Sequence, residues 1–130
     1  MNGKEIIENY PEATRVVKEW MLEKFLESLK EDGIPEDYKK SITIDTMSDE
    51  HLILIIERNP RTLFDVMDLH EIFIVTNIYY GNEKIAKYSY NILPYRVTTF
   101  DPPDWWDSRK EAEFIAIEES FKLLNEKLCM

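Results

Sequence analysis

The pattern of hydrophobic and polar residues is most strand-like between Glu71 and Phe100, where EIFIVTNIYY, the turn residues Gly81 and Asn82, KIAKYSYNIL and PYRVTTF follow one another. Successive side chains of a strand point to opposite faces. The stretch is dense in aromatic and β-branched residues with its one glycine at the turn, and therefore predicts three consecutive antiparallel strands. Register follows from asking which pairing sets like beside like. A two-residue turn pairing Tyr80 with Glu83 puts Ile74 across from Ser89 and mixes the faces. Pairing Tyr80 with Lys84 instead sets Ile78 beside Ala86, Ile74 beside Tyr90 and Ile72 beside Ile92, a dry face. The second face then carries Phe73, Val75, Asn77 and Tyr79 with Ile85, Lys87, Ser89 and Asn91, a mixed surface that is partly wet or covered by another element.

The rest of the pattern is read against that hairpin. A helix is predicted from about Pro11 to about Glu31, because proline suits a first helical turn and Asp32, Gly33, Ile34 and Pro35 form a stop signal. Val17, Met21, Phe25 and Leu29 line one side of it, Leu22 and Leu26 widen that side, and Val16 and Trp20 reach round the other flank. Such an arc is wider than one contact needs, so the helix is either covered on two sides or meets a partner. The preceding residues, Asn2 to Tyr10, leave a short turn open. Ser41 to Thr46 alternates like a strand, and His51 to Glu57 carries LILII between acidic residues. Five successive apolar residues would give a helix no polar face, so the second segment is read as a buried strand, with Met47 to Glu50 as the turn between the two. Asn59 and Pro60 open a short helix to about Leu69, and Ser108 with Glu111 has the spacing of a capping box ahead of a last helix striped by Phe114, Ile117, Phe121, Leu124 and Leu128. The fold expected is α+β: a mainly antiparallel sheet of about five strands packed against long N- and C-terminal helices.

Composition narrows this picture. The 130 residues fit a single domain, 1–130, which buries roughly two-thirds of the surface its unfolded chain exposes. A hydrophobic content of 44% arranged periodically, with 32% charged, is that of a globular protein. No apolar run approaches the roughly 18 residues of a membrane span, and MNGKEIIENY lacks the basic and apolar regions of a leader, so no membrane contact is expected. The lone Cys129 permits no internal disulfide, which points to a reducing, cytoplasmic setting. A net charge of −10 disfavours direct nucleic-acid binding, although an acidic inhibitor that imitates nucleic acid would share it.

Chemistry is constrained mainly by what is missing. With glycine only at Gly3, Gly33 and Gly81 there is no phosphate loop or dinucleotide fingerprint, and no G-x-S-x-G, HExxH, CxxC or EF-hand pattern occurs. No cofactor is expected, nor a catalytic set announced by a motif. The undeclared alternative joins His51 beside Asp49 and Glu50 with His70 beside Asp68 and Glu71, a combination able to ligate a divalent metal or serve acid–base chemistry if the two segments converge. Solvation of element ends explains the same residues without a site. The partner-binding candidates are Trp105 and Trp106, on a loop stiffened by Pro102 and Pro103, together with Trp20 on the wide arc. Tyr79, Tyr80, Tyr88, Tyr90 and Tyr95 lack interleaved basic residues and read as sheet packing.

The segment WDSRKEAE followed by AIEESFKLL, roughly the last quarter of the chain, resembles the closing strand and helix of small uncharacterised proteins found in phages and mobile elements. That resemblance implies an accessory role and carries no catalytic residues. Together these observations point to a small acidic, non-catalytic interaction protein that acts through a protein partner or as a homo-oligomer.

Overall fold

A computed structural model of the protein describes residues 1–31, 33, 35–44, 47–80, 86–95, 97–98 and 106–130. Among them are six α-helices and a small antiparallel sheet. Helix α1, Gly3–Asn9, forms because Asn2 and Glu5 close a reciprocal capping box, with Asn2 Oδ1 accepting from the Glu5 amide at 2.9 Å. The Gly3 amide donates to Glu57 Oε1 at 3.1 Å, and a Cβ on Gly3 would meet Glu57 and Ile53 at 3.1–3.2 Å. Glycine thus lets α1 lie close against the helix that carries those two residues.

Helix α2 spans Pro11–Glu31, the limits the sequence predicts. Its start has no local capping side chain; Asn125, from the far end of the chain, accepts from the amides of Glu12 at 2.9 Å and Ala13 at 3.1 Å. The free N–H groups of the first turn are satisfied by a side chain more than a hundred residues away. Gly33 takes the left-handed conformation, φ 68°, as the stop signal requires.

The five-stranded sheet is not formed. Ser41 is the last residue of helix α3, Glu36–Ser41, Ile42 and Ile44 belong to no strand, and residues 45 and 46 lie outside the described residues. The LILII segment lies in helix α4, Asp49–Arg58, so a second hairpin is absent as well. Two effects overturn the strand reading. Ser48 caps α4 by accepting from the His51 amide at 3.2 Å, with Asp49 and Glu50 in the favoured first turn. In addition α4 is surrounded by α1, α6 and the turn at Pro60–Leu63, so Leu52 and Ile56 are fully buried, Ile53 and Ile55 half-buried, and only Leu54 of the five is exposed. A helix covered on several sides does not need the polar face an amphipathic helix would carry.

A 3₁₀ turn at Pro60–Leu63 runs into helix α5, Phe64–Leu69. That helix ends in a Schellman arrangement: the Ile72 amide bonds the Met67 carbonyl, the Glu71 amide bonds that of Asp68, and Ile72 and Met67 are both fully buried. Glu71 occupies the position glycine usually fills, at φ 60°. Strands β1, Phe73–Tyr80, β2, Ala86–Leu93, and the two-residue β3, Val97–Thr98, then make one sheet in the order β1-β2-β3. Ile74 pairs with Ile92, Thr76 with Tyr90, Ile78 with Tyr88 and Tyr80 with Ala86. This register is two residues from the one expected from pattern. Any even shift keeps each side chain on its face, so the pattern alone does not separate the two.

Helix α6, Arg109–Leu128, closes the chain, with Ser108 Oγ accepting from the Glu111 amide at 3.1 Å. It packs against β2, α2, the 3₁₀ turn, α4, β1 and α5, and its Phe121 is the largest fully buried side chain among the described residues. Arg61 reaches Glu113 on this helix at 3.1 Å, supplying a counter-charge to a carboxylate that is itself buried.

Two substitutions check these local arguments. Asn125→Ala is expected to destabilise the fold by about 1 kcal/mol through loss of the α2 cap, whereas Asn125→Asp, which keeps the acceptor, loses far less. Glu71→Gly is expected to add roughly 0.5–1 kcal/mol by relieving the left-handed conformation. Both are read from midpoints of denaturant unfolding.

Candidate functional site

The residues singled out by sequence are distributed over three separate places. Trp106 is held at the start of α6 by two backbone bonds to Tyr88, each 2.9 Å, which extend the sheet on the β3 side of β2. Its ring stacks on Tyr90, centroids 5.6 Å apart, leaving it half-buried. Trp105 lies outside the described residues, as do Gly81, Asn82, Ile85 and the prolines of the 101–107 loop. Beside Trp106 is a cleft of about 510 Å³ with apolar walls from Phe114 and Ile115. Lys110 and Glu111 lie on its polar rim with two groups committed to structure: Ser108, which caps α6, and Glu57, which accepts from Gly3. Those two groups hold helix ends in place and are not arranged as a nucleophile with its base.

Trp20 is half-buried and separates two further clefts, one lined with His70, Val66 and Leu69, the other with His51, Met47 and Ile55. The structure does not bring His51 and His70 into one cleft. Asp49 forms an ion pair with Lys18, and Asp68 is exposed. Among the described residues no group of three or more His, Cys, Asp or Glu side chains is gathered closely enough to hold a metal ion. Partial burial pushes the His70 imidazole below its ordinary pKa, and the charge of Lys127 adds to the shift. Lys127 also donates to the His70 backbone carbonyl at 2.7 Å, tying the end of α6 to the end of α5.

The third place is the hairpin. Along its dry face burial falls off toward the tip: Ile72 and Ile92 are fully buried, Ile74 and Thr76 half-buried, but Ile78 is 56% and Tyr80 65% exposed. Helices cover the base of the sheet and not its end. On the opposite face Phe73 is 43%, Val75 42%, Tyr79 45% and Leu93 46% exposed. These four apolar side chains share one surface, because Phe73 pairs directly with Leu93 and residues two apart on a strand point the same way. The mixed face was legible in the sequence through Phe73, Val75 and Tyr79. Ile78, Tyr80 and Leu93 were not, since alternation assigns a face but does not say where the covering helix stops.

Tyr90 shows how dry the covered face is. Burial first, then the charges of Glu119 and Glu118, pushes its hydroxyl up to about 12. Comparison with family models, with curated proteins and with solved structures gives no significant match. Among the described residues no helix is long and apolar enough to cross a membrane.

The Tyr90 shift predicts alkaline behaviour with a definite sign. An unfolded tyrosine ionises near 10 and the native one near 12. The native state therefore keeps its proton longer, and the resulting stability is full below pH 10 and lost as pH rises toward 12. Tyr90→Phe should flatten stability across that window, a difference on the order of 2 kcal/mol at its upper end, measured by denaturant unfolding alongside ultraviolet titration of tyrosinate.

Proposed function

We propose that this is a non-catalytic interaction protein whose contact surface is the open side and tip of the hairpin. The observation that carries the reading is the grouping of Phe73, Val75, Tyr79 and Leu93 on one face, each more than 40% exposed, in a chain whose other large apolar residues are mostly covered. Clustered apolar side chains on a rigid sheet are the usual basis of recognition by another protein, whereas scattered ones need no explanation. The clefts at Trp106 and Trp20 support the same reading more weakly, and at Trp106 the Ser108 side chain serves the cap of α6.

An accessory role in the cytoplasm fits the rest: an acidic surface, a single free thiol at Cys129, and the resemblance of the last quarter of the chain to small phage and mobile-element proteins. The protein would act by occupying another macromolecule's surface.

Val75→Lys places a charge in the middle of the face, where the side chain can still reach water and leave the core undisturbed. Proteins captured from native lysate by the wild type are expected to fall by about tenfold or more with this variant, while its circular dichroism is unchanged. Equal capture by the two would overturn the reading.

A further inference from the structure

We infer that β1 is a self-pairing edge: two copies of this chain join antiparallel through their β1 strands, with Thr76 opposite Thr76, to form one continuous sheet. This rests on the reading of the hairpin as the contact surface and names its occupant. Strand β2 has neighbours on both sides, β1 on one and β3 with Trp106 on the other. Strand β1 is the outer strand of the order β1-β2-β3 and has β2 as its one strand neighbour among the described residues. Such an edge displays a row of backbone donors and acceptors that will pair with another strand unless something blocks them.

Within its own residues β1 lacks the usual blocks. It is eight residues long, its pairing with β2 is uninterrupted by a bulge, and it contains no proline. It also carries no charge. Ile72 to Asn82 is an eleven-residue uncharged run, the longest in a chain with 42 charged residues and a net charge of −10. Two acidic copies repel wherever their charged surfaces meet, and this strand is where they can approach without doing so. The same absence disfavours a basic partner, which would find no carboxylate on the strand to pair with.

The sequence of the strand is also self-complementary. A two-fold axis perpendicular to the sheet preserves its faces, so residues brought opposite one another must belong to the same face. Centred on Thr76, the pairing sets Phe73 opposite Tyr79, Ile74 opposite Ile78 and Val75 opposite Asn77. Aromatic meets aromatic and isoleucine meets isoleucine, the favourable cross-strand combinations. With eight residues a side against about 20–30 in a standard interface, the dimer is reversible and concentration-dependent. It also merges the two exposed faces into one surface of twice the extent.

Sedimentation of the full chain over a concentration series tests this, together with two variants. Wild type should rise from monomer toward dimer mass, and Ile78→Lys should weaken the dimer by at least about tenfold. In a Cys129→Ser background, Thr76→Cys should form a disulfide-linked dimer on oxidation and Glu8→Cys, on exposed α1, should not. This cross-link needs no assumption about how well the lysine variant folds. A monomer at every concentration up to the solubility limit overturns the inference, as does a dimer that Ile78→Lys leaves unchanged and Thr76→Cys fails to trap. If the wild type is monomeric while Val75→Lys still abolishes capture from lysate, the self-pairing falls and the contact face stands. If the dimer forms as described while capture is unaffected, the self-pairing stands and only the foreign partner falls.

Discussion

Seven residues of α6, from Ala112 to Leu124, are buried, and the rest of the molecule is arranged to bury them. Ala112, Ala116 and Ser120 recur every four residues, a stripe small enough for neighbouring elements to approach closely, while Ile117, Phe121 and Leu124 fill the space between them. Two buried polar side chains of this helix are satisfied within the protein. Ser120 donates to the Ala116 carbonyl at 2.7 Å, and Glu113 accepts from Arg61. Both ends of α6 hold other elements as well: Asn125 caps α2, Lys127 closes α5, and Trp106, just before the helix, pairs with β2. The long helix therefore acts as packing centre and as a set of terminal hydrogen bonds for three other segments.

That arrangement explains the asymmetry of the sheet. One face of the hairpin is needed to cover α6, and its base is correspondingly dry, as the raised ionisation of Tyr90 shows. With the helices gathered around α6, the opposite face and the tip keep their apolar side chains half in water. Exposing them forgoes hydrophobic stabilisation of roughly 25 cal/mol for each Å² left uncovered, a loss expected to persist where the surface is used. The acidic residues complement this division. They give the molecule its charge of −10 while Ile72 to Asn82 stays free of charge.

The titratable residues that looked most like chemistry have structural occupations. Asp49 meets Lys18, His51 contributes its amide to the cap of α4, and His70 sits where α5 ends against α6, with its carbonyl bonded and its imidazole partly desolvated. Helix termini collect polar residues because their free backbone groups need partners. The same residue types in a linear sequence are indistinguishable from ligands waiting for a metal.

Local signals were sufficient wherever the deciding partners lie close in sequence. Proline at position 11 and glycine at position 33 bracketed α2, Ser108 and Glu111 began α6, and the density of aromatic and β-branched residues identified β1 and β2, with like-beside-like pairing giving their correct faces. Only the tertiary structure decided the remainder. LILII became a helix because α1, α6 and the Pro60–Leu63 turn surround it, an environment no window of its own sequence describes. The hairpin register moved by two residues because an even shift costs the pattern nothing. The cap of α2 came from Asn125, and Ile78 and Tyr80 were left exposed because the helices cover only the base of the strands. Periodicity specifies which side chains of an element face the same way. What covers them is determined by distant segments, through close packing and through the need of every buried polar group for a partner.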